Sequence, residues 1–79
     1  METGLTLREQ EIINFFSNGL TTKEIGEELE VSFFTVDSHR KHILEKLNAR
    51  NLPHAIRRAV ERGFLRGISI HVTTYNIPE

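Results

Sequence analysis

Several features are absent or scarce in this 79-residue chain, and each shortage narrows what it can be. It has no cysteine, so neither a disulfide framework nor a cysteine-based zinc site can stabilise the fold. No segment approaches the roughly 20 apolar residues of a transmembrane helix, and the N-terminus does not resemble a signal peptide. The length allows one domain. We therefore expect a single soluble, cytoplasmic domain that makes no membrane contact.

Charge is plentiful but unevenly distributed. The chain carries 10 Lys and Arg against 11 Asp and Glu, a net charge of −1. Residues 1–38 hold two basic and eight acidic residues, whereas residues 39–62 hold seven basic and two acidic ones. A chain of near-zero total charge can in this way present a basic face to nucleic acid. A solvated mixture of charges is the alternative.

Four polar caps, each followed by apolar residues at helical spacing, predict four helices. The caps are Thr6, Thr21, Ser32 and Asn51. The predicted helices span about residues 7–18, 22–29, 33–47 and 52–62. Because only a few residues connect them, we expect an all-α fold, a compact four-helix bundle formed by residues 1–66.

Residues 67–79 follow a different pattern. Residues 68–73 alternate apolar and polar side chains and are rich in β-branched residues, which is typical of a strand. A single strand leaves its backbone groups without partners. We expect a short C-terminal extension of strand-like character that is disordered, lies against the bundle or pairs with a second copy.

The joint between the second and third predicted helices favours a helix-turn-helix over an ordinary helical pair. Gly26 is a small residue where two helices can cross, residues 30–32 form a short turn, and Val36 is an apolar anchor early in the next helix. Glycine within a helix costs about 1 kcal/mol relative to alanine, which close packing can offset. On a helical wheel Arg40 is expected to lie along the core-facing stripe by its aliphatic stem, with Phe33 and His39 at the edges of that stripe.

The outward face of the third predicted helix carries an aromatic ring, a carboxylate, a hydroxyl and a cation. These residues are Phe34, Asp37, Ser38 and Lys41. A helix of this kind fits the major groove, where Lys41 can reach guanine acceptors, Asp37 a cytosine amino group and Phe34 a thymine methyl. We predict that these four residues read bases.

The chain resembles the LuxR/GerE-type helix-turn-helix, a bacterial DNA-binding domain, over about residues 5–65. The resemblance is carried by residues 5–9, residues 19–25, Leu29, Val31, Ser32, Thr35, Val36, His39, Ile43, Lys46, Leu47 and Ala55. Residues 51–59 (NLPHAIRRA) are most similar to the output domains of nitrate- and nitrogen-fixation-type (NarL/FixJ) response regulators. In those proteins a receiver domain precedes this module, so the resemblance implies a receiver or sensor domain in a longer parent chain.

The resemblance also implies that the third helix enters the major groove of double-stranded DNA and that the protein binds as a homodimer. By position it assigns base reading to Asp37, Ser38 and Lys41. The phosphate-contacting candidates that it assigns by position are Thr21, Thr22, Lys23, Thr35, His39, Lys46 and Arg50. His42, on the same flank of the third helix as Thr35 and Lys46, is a further candidate. The dimerisation candidates on the fourth helix are Ala55, Ile56, Ala59 and Val60.

Two positions depart from the family pattern. Glu30 stands at a turn where glycine is usual, which predicts a strained or altered turn. Asp37 stands where a basic residue is common, and a carboxylate there repels phosphate. We therefore expect weaker non-specific DNA affinity than a basic relative would show.

Other classes of function have less support. No nucleophile, base and orienting residue occur at catalytic spacing, so we do not expect an enzyme. His39 and His42 have no third ligand nearby, so no metal site is predicted. No cofactor or small-molecule ligand is expected either. The serious alternative is a protein-interaction module that keeps the helix-turn-helix but does not bind DNA.

Overall fold

The computed structural model describes residues 4–65; residues 1–3 and 66–79, and with them the strand-like extension, lie outside the described part. Four α-helices follow one another: α1 (Leu7–Ser17), α2 (Thr22–Leu29), α3 (Phe33–Leu47) and α4 (Leu52–Glu61). Residues 4–65 contain no strand. The all-α prediction is confirmed, with α1 and α4 each ending one residue earlier than expected. The domain boundary near residue 66 stays a prediction.

Side chains cap the start of every helix. At α2 the Thr21 hydroxyl accepts a hydrogen bond from the Glu24 N–H at 3.1 Å, and the Thr21 N–H donates to Glu24 Oε1 at 2.8 Å. The same reciprocal capping box begins α1. Ser32 and Asn51 accept hydrogen bonds from backbone N–H groups at the starts of α3 and α4. Because these groups lack partners within a helix, the caps determine where each helix begins.

The joint between α2 and α3 depends on a close backbone approach. A Cβ atom added to Gly26 would lie 2.9 Å from the carbonyl oxygen of Val31, so only glycine fits there without a shift. The Val31 N–H donates to the Gly26 carbonyl at 2.9 Å. Glu30 adopts a left-handed conformation (φ 59°, ψ 44°), which explains why this turn normally favours glycine.

α3 is the central helix, in contact with α1, α2 and α4. The buried core comprises Leu5, Ile12, Ile13, Phe16, Ile25, Val36, Ile43, Leu47, Ala55, Ala59 and Leu65. The anchor Val36 is fully buried, as expected. Phe33, expected at the edge of the core, is instead 49% exposed. Its ring packs edge-on against Phe34, with centroids 5.6 Å apart and planes at 88°, so the two rings contact each other on the outside of the domain.

Candidate nucleic-acid interface

The outward face of α3 presents the side chains predicted to read bases. Phe34 is 79% exposed, Ser38 is exposed, and the Lys41 side chain is 66% exposed. Residues three, four and seven positions apart share one side of a helix, so these side chains form a row along α3. The opposite side of α3 is buried against the other helices. The row is therefore held by a rigid element.

Asp37, in the middle of this row, is tied to two cations of the same helix. Its Oδ1 atom accepts hydrogen bonds from Arg40 Nε at 3.1 Å and Arg40 Nη2 at 2.9 Å. Its Oδ2 atom lies 3.5 Å from Lys41 Nζ. The hydrogen bonds from Arg40 are the main cause that holds the pKa of Asp37 below its ordinary value, aided by the charges of Arg40 and Lys41. In the free domain, neither carboxylate oxygen is without a partner.

Arg40 therefore differs from its expected role along the core stripe. Its side chain is 30% exposed and its guanidinium points to Asp37. Together, Asp37, Arg40 and Lys41 form what we call the α3 charge cluster. Its spacings of three and four residues are those at which helical side chains meet.

An exposed aromatic pair begins α3. Phe33 and Phe34 are the first two residues of this helix and, with Leu7 on α1, are the large apolar side chains exposed in residues 4–65. Thr35, the next residue, is exposed and its hydroxyl lies 3.0 Å from that of Ser32. Apolar and hydroxyl groups thus share the end of the helix that enters the groove first in helix-turn-helix proteins.

The N-terminus of α2 offers backbone and side-chain donors to a phosphate. Lys23 is exposed and Thr22 is half-buried in its first turn. The Thr21 N–H is occupied by the Glu24 carboxylate, whereas the Thr21 hydroxyl accepts from the Glu24 N–H and keeps its own O–H to donate. The helix dipole favours an anion here, although the Glu24 carboxylate already supplies one negative charge.

Lys46 joins α3 to α1. Its Nζ atom lies 2.8 Å from Oε1 of Glu9, a carboxylate that is only 4% exposed and also accepts the Thr6 N–H at 2.9 Å. Burial raises the pKa of Glu9, but the hydrogen bonds from Lys46 and Thr6 and the charge of Lys46 outweigh burial and leave this pKa below its ordinary value of 4.5. Sequence reasoning missed this pair, since Glu9 and Lys46 are 37 residues apart.

The other phosphate candidates surround the same face. His42 and Arg50 are exposed, whereas His39 is half-buried. The Arg50 N–H donates to Nδ1 of His54 at 3.1 Å, which attaches the segment after α3 to the first turn of α4. The side chains of His39, His42 and Arg50 form no ion pair among the described residues. His39 and His42 lie on α3, and Arg50 lies in the connection that follows α3.

The four dimerisation candidates on α4 divide into two pairs. Ala55 and Ala59 have no exposed surface, so the prediction that they contact a second copy needs correction: their methyl groups fill the core of this domain. Ile56 and Val60 are only partly buried and remain available for contact. Arg58 Nε donates to the Leu47 carbonyl at 2.6 Å, which fastens α4 to the C-terminal end of α3.

The fold and the joint between α2 and α3 define a helix-turn-helix domain. The sequence model of bacterial regulatory proteins of the luxR family matches residues 3–59. The chain belongs to this luxR (GerE-type) family. No helix in residues 4–65 is long and apolar enough to cross a bilayer. Across the same residues, no three His, Asp or Glu side chains are grouped so that they can hold a metal ion.

Three similar proteins show to which part of the luxR family the chain is related. It is 39% identical over 61 residues to the oxygen regulatory protein NreC of Staphylococcus carnosus, covering 77% of this chain and 28% of NreC. It is 37% identical over 60 residues to the transcriptional regulatory protein FixJ of Rhizobium meliloti, covering 76% and 29%. The crystal structure of the response regulator ChrA of a heme-sensing two-component system superposes with a TM-score of 0.77 at 31% identity, covering 82% and 32%.

These matches confirm the resemblance to output domains of the NarL/FixJ type. The chain spans less than a third of the length of each of these relatives. The relatives are regulators rather than enzymes, and the part they share with this chain is the helix-turn-helix domain.

Proposed function

We propose that this domain binds specific sites on double-stranded DNA with α3 in the major groove. The observation that carries the proposal is the exposed row of Phe34, Ser38 and Lys41 on a helix whose other side is buried. The Gly26 joint holds α2 against α3, so that the N-terminus of α2 can meet a phosphate while α3 meets the bases. This is how helix-turn-helix proteins divide the contacts between the two helices.

The chemistry of each side chain suggests what it reads. Lys41 donates to the O6 and N7 acceptors of guanine, Ser38 can donate or accept, and Phe34 contacts the thymine methyl. Phosphate contacts come from the helix starts, from α3 and from the connection that follows it. Those candidates are Thr21, Thr22, Lys23, Thr35, His39, His42, Lys46 and Arg50. Lys46 can take part without leaving Glu9, because an ammonium group has three donors.

The direct test compares two variants, each of which loses one positive charge. Lys41→Ala removes an exposed cation from the α3 row, and Arg57→Ala removes one from α4, where Arg57 pairs with Glu61 and is 77% exposed. In fluorescence anisotropy with duplex DNA carrying a selected site, we expect Lys41→Ala to lose about 1–3 kcal/mol of binding free energy. Arg57→Ala should change it little.

Two results would count against DNA reading by α3. Equal losses in Lys41→Ala and Arg57→Ala would mean that only total charge matters. If the unchanged domain binds no duplex even at low salt, the protein-interaction alternative is favoured instead, since the acidic α2 and the paired Asp37 are consistent with it.

We also propose that the domain binds DNA as a homodimer through α4. Ile56 and Val60 offer a small, partly exposed apolar surface, so association without DNA should be weak. Val60→Ser should reduce the extra affinity for a duplex with two half-sites over a duplex with one, and leave single-site affinity unchanged. If both affinities stay as in the unchanged domain, another surface forms the dimer.

The signal would reach this domain from elsewhere in a longer parent chain. The names of NreC and ChrA connect those relatives with oxygen and with heme sensing. We propose by analogy that a receiver or sensor domain controls DNA binding here, in the bacterial cytoplasm. Joining such a domain to residues 1–79 and measuring operator affinity with and without its signal would test this.

A further inference from the structure

The α3 charge cluster occupies the centre of the face that we propose enters the major groove. Asp37 is bound by Arg40 at 2.9 Å and 3.1 Å through one carboxylate oxygen, and approached by Lys41 at 3.5 Å through the other. Both cations are therefore pulled toward one anion on their own helix. A cation held in this way is less free to reach a phosphate.

Non-specific DNA would have to break these pairs. It offers mainly phosphates, and a phosphate that takes Arg40 or Lys41 leaves the Asp37 carboxylate beside another anion without a partner. Exposed ion pairs are weak enough to be exchanged, so this arrangement lowers affinity without preventing binding.

A particular base can remove that penalty. The amino group of cytosine is a donor in the major groove, and aspartate is one of the side chains that accept from it. Where such a cytosine faces Asp37, the carboxylate regains a partner, and Lys41 is released to donate to a nearby guanine. The loss of the ion pairs is then compensated in part, and only at that site.

We propose that Asp37 is a specificity-determining residue: its carboxylate competes with DNA phosphate for Arg40 and Lys41, and releases them at the lowest cost where a cytosine amino group donates to it. The inference rests on the proposed function, because it assumes that α3 lies in the groove. To the expected cytosine contact and the expected weak non-specific affinity it adds a common cause, the ion pairs of Asp37 with Arg40 and Lys41 within α3.

The test compares Asp37→Asn with Glu45→Gln. Both variants remove one negative charge from α3 and nearly preserve side-chain shape, but Glu45 is exposed and forms no ion pair among residues 4–65. Asp37→Glu keeps the carboxylate and serves as the conservative variant. Affinity for random-sequence duplex is measured by fluorescence anisotropy between about 50 and 200 mM salt. Each additional phosphate contact steepens the slope of log affinity against log salt concentration by about 0.9.

If Asp37→Asn frees Arg40, Lys41 or both to contact phosphates, the salt dependence of DNA affinity should increase by a predictable factor. For Asp37→Asn, the ratio of affinity at the lowest salt to that at the highest should exceed the ratio for the unchanged domain by about three- to twelvefold. Glu45→Gln and Asp37→Glu should leave the ratio nearly unchanged. In sites selected from a random pool, the cytosine preference should change to adenine in Asp37→Asn, because asparagine pairs with adenine.

Three results would overturn the inference. Equal salt slopes for Asp37→Asn and Glu45→Gln would show a general charge effect. An unchanged base preference in Asp37→Asn would show that Asp37 does not read a base. Absence of salt-dependent binding by the unchanged domain would reject the proposed function and this inference with it, whereas the first two results leave DNA binding itself intact. Thermal unfolding of each variant verifies that it is folded.

Discussion

Replacing Gly26 with alanine should destabilise the domain, although the same change stabilises most helices. Alanine is favoured over glycine within a helix by about 1 kcal/mol. Here its Cβ would lie 2.9 Å from the Val31 carbonyl oxygen and 3.7 Å from backbone atoms of Ser32 and Phe33. Backbone atoms cannot rotate away as a flexible side chain can. The turn must open, which weakens the hydrogen bond from Val31 N–H to the Gly26 carbonyl.

The expected magnitude follows from these contributions. Overpacking costs about 1–3 kcal/mol, and a weakened hydrogen bond about 1 kcal/mol. After subtracting the helix preference for alanine, Gly26→Ala should lower the free energy of unfolding by about 1–3 kcal/mol. Because α2 and α3 then shift relative to each other, DNA affinity should fall as well. Urea unfolding followed by circular dichroism, with anisotropy on duplex DNA, measures both.

Gly19→Ala provides a matched control. Gly19 also has a special backbone (φ 92°), but an added Cβ would meet nothing within 4 Å. This variant should lose about 1–2 kcal/mol of stability from the left-handed conformation alone and keep its DNA affinity. If Gly26→Ala proves more stable than the unchanged domain, or keeps full DNA affinity, the close contact at the joint is not what positions α3.

The remaining predictions concern the aromatic ring, the turn and the buried carboxylate. Replacing the contacted thymine with uracil removes one methyl and should weaken binding by about 0.8 kcal/mol in the unchanged domain but hardly at all in Phe34→Ala; equal losses in both would refute the contact. Glu30→Gly should raise the free energy of unfolding by up to about 1 kcal/mol in urea, since glycine tolerates the left-handed turn; no gain would mean the turn is unstrained. Because the pKa of Glu9 is lowered on folding, its contribution should be present above pH 4.5 and be lost as pH falls through the folded value. Urea midpoints at about pH 3 to 7 should therefore fall more steeply on the acid side in the unchanged domain than in Glu9→Gln, and parallel curves would contradict this.

Local patterns were enough to predict the helices and the joint. The capping threonines, Gly26 and Val36 act through neighbours a few residues away, and such interactions are visible in the sequence. At Glu30 the family resemblance predicted a strained or altered turn, and the left-handed conformation is the form that this turn takes. The exposure of Phe34 followed from helical periodicity, because the opposite side of the same helix was clearly apolar.

Interactions over longer distances were not predicted. Glu9 appeared to be an ordinary capping-box residue, and nothing local indicates that Lys46 would reach it from α3. Ala55, Ile56, Ala59 and Val60 share one side of α4, so the sequence does not show which of the four the core accepts. Contact with the other helices places Ala55 and Ala59 inside and leaves Ile56 and Val60 partly buried.

The α3 charge cluster could be predicted from the sequence only in part. Spacings of three and four residues from Asp37 to Arg40 and Lys41 are present in the sequence, and they allow helical ion pairs. A helical wheel places Arg40 in the core-facing stripe, however, because it shows the direction of each Cα and not where a long side chain ends. The position of the guanidinium changes Asp37 from a simple base reader into a residue that also restrains two cations.

The most direct test of the central claim is to follow backbone amide NMR signals while duplex DNA carrying a selected site is added to the domain. If α3 lies in the major groove, the largest shifts should occur at Phe34, Ser38 and Lys41 and at the start of α2, with little change at Glu61. Shifts concentrated instead on α1 or on the exposed side of α4, with α3 unaffected, would contradict the account.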